Sequence, residues 1–365
     1  MKTKEKFLTV DQVFELFDLF IRESTNGKRL KKNGKHLRPR TVAAYHITKK
    51  RLYDFIQDTG YVFKVFLPNK LTKREKEFVK RYWKKFFKKF TDYLYYDCNY
   101  FDNYVGKIIK TLRLFFGYLN DEKDIFVGHF YKSFYSYSEK IPIVVLNPEH
   151  LHYLIYDNEF NTKLSPKMKS LKDIFIFGCS VALRYSDIMA LNKNSLQYYN
   201  SGYYLQADSI KTGTHTNIKL PDYAVEILER WKEKKKMGRL FPYFAVATFN
   251  NYLKELGKLM NLTEPFPKYR HKRGEKVLIY RNKAKREHFT VADHLSSHTM
   301  RRTAITTMLR LGMPEHMVRK ISGHAPNSIE FERYVSFAQS YIDEHTEKVF
   351  DKIKNLKLNP IEKTS

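Results

Sequence analysis

Apolar residues return every three or four positions through four long stretches of the first 120 residues. The period then changes to two in the stretch "YYLQADSIKTGTHTNIKLP" of the second half. A spacing of three to four lines one face of a helix with apolar side chains, and a spacing of two lines one face of a strand. The chain is therefore predicted to be mainly α with a small β-hairpin or sheet in its second half, an α+β arrangement. At 365 residues it exceeds one ordinary core and suits two domains.

The first helix is predicted over residues 10–21, followed by a basic, glycine-containing loop, "STNGKRLKKNGKHLRPR". Thr41, after Pro39, is placed to cap a second helix through Tyr45, Leu52 and Phe55. A third runs through "KREKEFVKRYWKKFFKKFTDYLYY" and a fourth through "FDNYVGKIIKTLRLFFGYL". Residues 1–137 thus read as a helical bundle. Residues 138–146, the end of a weakly periodic stretch, read as a linker, and 147–365 as a second domain with a C-terminal helix. In that domain a helix follows Asn147, and others run through "MKSLKDIFIFGCSVAL" and "RYSDIMAL". "KTGT" breaks the alternating stretch as a hairpin turn does. Helices are expected again over 221–235, over 246–260 and through most of the remainder.

The formal net charge is +28, divided as +15 over residues 1–140 and +13 beyond. Excess cations in both halves suit a polyanion gripped from two sides, nucleic acid above all, better than a soluble globule with one basic tail. Cys98 and Cys179 are the only cysteines, far apart and without metal-site spacing, so a reducing compartment is expected. No apolar run has the length of a signal-peptide core or a membrane span, and a soluble, cytoplasmic protein without a membrane partner is expected.

In "SSHTMRRTAITTML", His298 and Arg301 stand three residues apart, on one face of a predicted helix. A guanidinium fork matches phosphate oxygens, and an imidazole adds a directional donor or accepts a proton. Alone, such a pair is commonplace, and a capping or surface role is its ordinary explanation. Its company is more specific. Arg184 opens "RYSDIMAL" with Asp187 three residues later, placed to buttress the guanidinium. Lys211 sits at the predicted hairpin tip, Gly323 and His324 follow a short helix in "ISGH", and Tyr334 comes ten residues after His324.

This order of Arg, Lys, His-x-x-Arg, Gly-His and Tyr resembles the tyrosine recombinase or phage integrase family over residues 146–350. "LRYSDIMAL" is similar to its first arginine box, "SIKTG" to its hairpin lysine, "SHTMRRTAITTML" to its second box and "ISGH" to its Gly-His. The first domain resembles the family's SAM-like core-binding domain, with "LRPRTVAAYHITKKRLYDF" like its leading helix. Family members usually place the nucleophile nine residues after the histidine, one fewer than here, and Tyr341 is the nearby rival of Tyr334.

The resemblance implies a site-specific recombinase or integrase of a mobile element, with Arg184, Lys211, His298, Arg301, His324 and the nucleophile Tyr334 as catalytic residues. It implies cleavage and rejoining of double-stranded DNA through a 3'-phosphotyrosine. The partners it implies are a homo-tetramer on synapsed sites and accessory DNA-bending proteins, with a nucleoid-associated location. The residue types suffice for such chemistry without a cofactor. Arg184 and Arg301 supply the positive charge that a nuclease takes from a metal, and a covalent intermediate conserves the bond energy that ATP would otherwise replace. His298 is the expected base and Lys211 the expected acid.

Arg38, Arg40, Thr41, Lys107 and Lys110 are expected to face DNA phosphates, whereas most lysines of "KRYWKKFFKKF" read as a solvated face over an aromatic core. A zinc site built on His288, His294 and His298 lacks a fourth soft ligand. A type IB topoisomerase-like relaxing enzyme and a catalytically inactive DNA-binding relative are the competing readings. The C-terminal helix could dock on a neighbouring protomer or fold back on its own domain.

Overall fold

The computed structural model describes residues 6–31, 33–139, 141–200, 202–211, 213–231 and 238–354, without the side chains of 340–342, 344 and 345. It divides into two compact units: Met1–Ile141 with Lys268–Ile279, and Pro142–Pro267 with Tyr280–Ser365. Among the described residues no helix is long and apolar enough to cross a membrane.

The first unit runs β1 (Phe7–Leu8), α1 (Val10–Thr25), α2 (Pro39–Thr59), β2 (Val65–Phe66), α3 (Lys73–Asp92) and α4 (Asp102–Glu122). Thr9 with Gln12 and Thr72 with Glu75 form capping boxes at α1 and α3, satisfying otherwise orphaned backbone donors. Arg38 rather than Thr41 is the N-cap of α2, because Pro39 occupies its first position, where a missing N–H costs nothing. The core is aromatic: Phe17 stacks on Phe115 at 4.2 Å, Phe55 meets Phe90 edge-on at 5.2 Å, and Trp83 stacks on Phe130 at 3.5 Å. α3 turns Val79, Trp83, Phe86, Phe87 and Phe90 inward and leaves Lys84, Lys85, Lys88 and Lys89 exposed, as its amphipathic spacing requires.

The second unit begins with α5 (Pro148–Tyr156), capped by Asn147, then α6 (Asn158–Thr162), α7 (Pro166–Val181) and α8 (Tyr185–Ala190). A three-stranded antiparallel sheet follows, ordered β3 (Leu196–Tyr199), β4 (Gly202–Asp208), β5 (His215–Lys219). The β4–β5 pair is the hairpin the alternation predicts, with Leu205 opposite Ile218 on its buried face; β3 is an additional strand. After it come α9 (Asp222–Arg230) and α10 (Val246–Leu259). The helix expected over 221–235 stops at Arg230, and residues 232–235 lie outside the described residues.

Between α10 and the remaining helices, where helix was expected, the chain forms a second hairpin, β6 (Lys268–Lys272) and β7 (Glu275–Ile279). Its turn places Arg273 and Gly274 at φ 54° and 86°, left-handed values that Gly adopts at little cost. This hairpin belongs to the first unit, so the expected domain of 147–365 does not account for it. Asp102, 1% exposed, accepts from Tyr95 Oη at 2.7 Å and from the N–H groups of Arg273 and Gly274 at 2.7 and 2.9 Å. Glu139 accepts from Arg270 Nε and from the His271 N–H, both at 2.7 Å.

The chain ends in α11 (Val291–His294), α12 (Ser297–Arg310), α13 (Glu315–Ser322) and α14 (Ile329–Lys354). α7 is the central helix, with every residue from Leu171 to Val181 buried. Its Gly178 allows α12 to approach, since a Cβ there would lie 2.5 Å from Met300 Sδ. A separate apolar cluster of Ala182, Ala304, Ile305, Leu309, Val318, Phe331 and Tyr334 joins α12, α13 and α14.

Candidate active site

Arg301 is 5% exposed on the first turns of α12. Its Nη1 donates to the Ala182 carbonyl at 2.7 Å and its Nη2 to the Ser322 carbonyl at 2.5 Å. Ala182 closes α7 in a left-handed conformation, and Ser322 is the last residue of α13, so one guanidinium gathers two helix ends. Nη2 also lies 3.3 and 3.4 Å from the two ring nitrogens of His324. Burial, and then the charge of Arg184, lower the Arg301 pKa to about 10, which leaves it a cation at neutral pH.

His324 follows Gly323, which ends α13 at φ 63°. Its Nδ1 is 2.8 Å from Ser322 Oγ, and that hydroxyl donates to the Val318 carbonyl at 2.7 Å. A hydroxyl has one hydrogen, so hydrogen-bond accounting assigns the ring proton to Nδ1 and the lone pair to Nε2, on the side of Arg301. Burial, then Arg301 and Arg184, push the imidazole pKa down to about 4. His298 sits one turn before Arg301. More than a third of its surface is open, yet crowding by protein, followed by the charges of Arg302 and Arg301, holds it below the usual histidine value.

Arg184 is the N-cap residue of α8, and its Nη1 donates to Ser209 Oγ at 3.0 Å. Ser209 leads into the turn between β4 and β5, where Lys211 is exposed two residues later. The expected contact of Asp187 with Arg184 is not formed. Asp187 Oδ1 accepts the Ile210 N–H at 3.1 Å instead, because the hairpin root packs over α8; its Oδ2 is buried without a hydrogen-bond partner. The Asp187 charge nonetheless favours the cationic form of Arg301.

Tyr334 is 7% exposed on α14, with its ring centroid 5.9 Å from that of His324. The ten-residue spacing therefore does not separate the two rings. Tyr341 lies within α14, but its side chain is outside the described residues. Arg184, His298, Arg301, His324 and Tyr334 are drawn together, while Lys211 is tied to them through the backbone of its hairpin. Ser209, Ser322 and Arg319 are partners that sequence spacing did not single out; their only signal is adjacency to Lys211 and to Gly-His.

Among the described residues no group of three or more His, Cys, Asp or Glu is arranged to hold a metal. His294 Nε2 instead faces the Phe266 carbonyl at 3.0 Å. In the first unit, Lys107 lines a small hollow with Ala44, Ile47, Thr48 and Tyr104, which places it against α2. Arg40 and Thr41 lie four and three residues before Ala44, and Lys110 three after Lys107, so these positions share neighbouring helix faces. Arg40, Lys107 and Lys110 are exposed, and Arg38 and Thr41 half-buried.

A mainly α protein that sets paired arginines and two histidines around a tyrosine, on a strongly basic chain, has the makings of a DNA breaking and rejoining enzyme. The sequence profile of the phage integrase family matches residues 156–340, a little over half of the chain. The chain belongs to the phage integrase family and is a tyrosine recombinase. A search of curated proteins found no match.

Among solved structures it is similar to a lambda integrase dimer bound to a COC' core site, at 12% identity and a TM-score of 0.58, over 98% of this chain and 81% of that one. It is also similar to the XerH site-specific recombinase bound to a palindromic difH substrate in a post-cleavage complex, at 13% identity and a TM-score of 0.60, over 92% and 95% of the two chains. The Tn1549 transposon integrase in complex with a circular intermediate DNA gives 15% identity and a TM-score of 0.52, over 90% and 94%. At these identities the likeness is one of fold.

Proposed function

We propose that this chain is a site-specific recombinase or integrase of a mobile element, which cleaves and rejoins duplex DNA through a 3'-phosphotyrosine on Tyr334. The observation that carries this reading is the buried Arg301 guanidinium, 3.3 Å from His324, whose ring lies 5.9 Å from that of Tyr334 in the same protomer. Tyr334 Oη attacks phosphorus, the bond to the 5'-oxygen breaks, and the phosphate remains on the tyrosine. Arg184 and Arg301 stabilise the charge on the non-bridging oxygens from fixed positions that need no reorganisation.

His298, held neutral at pH 7 by its lowered pKa, accepts the phenol proton. Lys211, at the exposed hairpin turn, protonates the departing 5'-oxygen. His324 donates to a phosphate oxygen once the anion beside it raises its pKa and Nε2 takes up a proton. Rejoining reverses these transfers with the 5'-hydroxyl as nucleophile, so no ATP enters the balance, and the arginines replace a metal.

Arg38, Arg40, Thr41, Lys107 and Lys110 hold the phosphate backbone without reading sequence. The tetramer bound to a Holliday junction that is named for lambda integrase supports the same assembly here, on synapsed sites. Accessory DNA-bending proteins complete the set of partners in this reading. A nicked suicide duplex carrying the element's own end tests the reading. A protein–DNA adduct that forms in EDTA without ATP supports it. An adduct lost in EDTA would overturn it in favour of a metal nuclease, and site-independent plasmid relaxation would favour a topoisomerase.

A further inference from the structure

Arg319 stands in the last turn of α13, five residues before His324, and it is almost wholly engaged with the segment that leads to Tyr334. Its backbone carbonyl accepts the His324 N–H at 3.1 Å. Its Nη1 donates to the Pro326 carbonyl at 2.9 Å and reaches the Ala325 carbonyl at 3.4 Å. Its Nη2 donates to Glu332 Oε1 at 2.5 Å and reaches Glu315 Oε2 at 3.5 Å. The guanidinium carbon also lies 4.0 Å from the centroid of the Phe331 ring. Phe331 in turn meets the rings of His324 at 5.4 Å and Tyr334 at 6.3 Å.

One side chain therefore touches the loop after His324, the first turn of α14, and the aromatic residue that meets both histidine and tyrosine. We infer that Arg319 is a positioning residue for strand cleavage, fixing α14 against α13 so that Tyr334 stays in register with His324. A surface ion pair with Glu332 alone would not carry this, since exposed pairs contribute little. Two carbonyl contacts on an irregular loop and a planar stack are different, because only a guanidinium supplies that fork and that face together. Lysine retains the charge and one contact at a time, and methionine retains the stem alone.

The inference rests on Tyr334 being the nucleophile, and the experiment separates the two. Full-length Arg319→Met, Arg319→Lys and Tyr334→Phe proteins are compared by dissociation constant on the intact site and by single-turnover adduct formation on the suicide duplex at saturating protein. Arg319→Met should slow adduct formation about 10- to 100-fold, the scale of an ångström-sized misplacement, while binding DNA within about twofold of wild type. Arg319→Lys should recover part of that rate. If Arg319→Met misfolds, Arg319→Gln, which keeps the stem and a single donor for a loop carbonyl but neither the fork nor the stack, should still slow adduct formation a few-fold at unchanged affinity. Wild-type rates in these variants, or equal losses of binding and cleavage, would overturn the inference while Tyr334→Phe remains inert. An adduct formed by Tyr334→Phe would remove the reading on which it rests.

Discussion

Asp187 Oδ1 accepts the backbone N–H of Ile210 at 3.1 Å, which makes this carboxylate a support for the hairpin of Lys211 rather than a partner of Arg184. Arg184 reaches the same hairpin one residue earlier, through Ser209 Oγ. Helix α8 thus contributes both an arginine and the anchor that sets where the β4–β5 turn begins. The root of the β4–β5 turn and the helix are joined by two hydrogen bonds of 3.0 and 3.1 Å, from residues one helical turn apart.

The anchor predicts unequal effects of two substitutions at one position. Asp187→Asn keeps an acceptor for the Ile210 N–H and should leave adduct formation within several-fold of wild type. Asp187→Ala removes that acceptor, at a cost of about 0.5–1.5 kcal/mol, and loosens the turn. Adduct formation should fall at least as far as the fraction of anchored hairpin falls. Amide hydrogen exchange at Ile210 is the direct check, with protection retained in the asparagine variant and lost in the alanine one.

Tyr334 separates packing from chemistry. Among the described residues its hydroxyl makes no hydrogen bond, whereas its ring belongs to the apolar cluster of α12, α13 and α14. Tyr334→Phe should therefore change unfolding free energy by less than about 1 kcal/mol while abolishing the adduct. Tyr334→Ala should cost about 3–5 kcal/mol through the cavity it opens. Urea denaturation of both variants beside the suicide-duplex assay tests the pair.

The side chains that meet in this candidate site could be listed from residue order, because they lie on or directly beside helices whose apolar period is plain. The helical bundle and the β4–β5 hairpin follow from the same periods. What escaped was tertiary. Nothing in "RYSDIMAL" says that Asp187 would prefer a backbone N–H over a guanidinium, since that depends on how closely a distant hairpin packs. The β6–β7 hairpin carried a visible turn signal in Arg273–Gly274, yet its strands are charged and half-exposed, so they lack the apolar alternation that marks a strand. Its place in the first unit is fixed by Asp102 and Glu139, carboxylates far away in sequence.

Asp102 anchors the β6–β7 hairpin. It accepts three hydrogen bonds while 1% exposed, two of them from the tip of the β6–β7 hairpin. Asp102→Ala strands the N–H groups of Arg273 and Gly274 together with the Tyr95 hydroxyl, and should cost about 2–4 kcal/mol, concentrated in the hairpin. Trypsin should then cut after Arg270, Lys272 or Arg273 faster than in the wild type, before global unfolding. Equal cleavage rates in the two proteins would show that the hairpin is held by something other than this carboxylate.

Gly178 and Met300 define a close helix contact one residue from Arg301. A Cβ at 178 would lie 2.5 Å from Met300 Sδ, 3.0 Å from Met300 Cβ and 3.1 Å from Ile188 Cδ1, so Gly178→Ala must push α12 or α8 aside. Overpacking of this kind costs about 1–3 kcal/mol, and here it should also shift Arg301 and slow cleavage. Met300→Ala removes the sulfur and should partly restore the rate in the double variant. A double-mutant cycle with a coupling energy near zero would show that the two residues do not share this contact.

His324 supplies the pH dependence. Its folded pKa of about 4 lies below the ordinary histidine value of 6.5, with burial as the main cause and Arg301, Arg184 and Arg319 adding to it. Between those two values the unfolded chain binds a proton that the folded chain refuses, so stability rises with pH there. The contribution is complete above about pH 6.5 and is lost as pH falls toward 4. His298, also lowered, acts in the same direction. His324→Gln removes one of the two titrations, so the loss of stability between pH 7 and pH 5 should be smaller in the variant than in the wild type, as measured by urea unfolding at both values. Identical losses would mean that the imidazole is not held neutral. A phosphate beside Arg301 should raise the same pKa, and the His324 ring proton signals should then titrate at higher pH with DNA bound than without it.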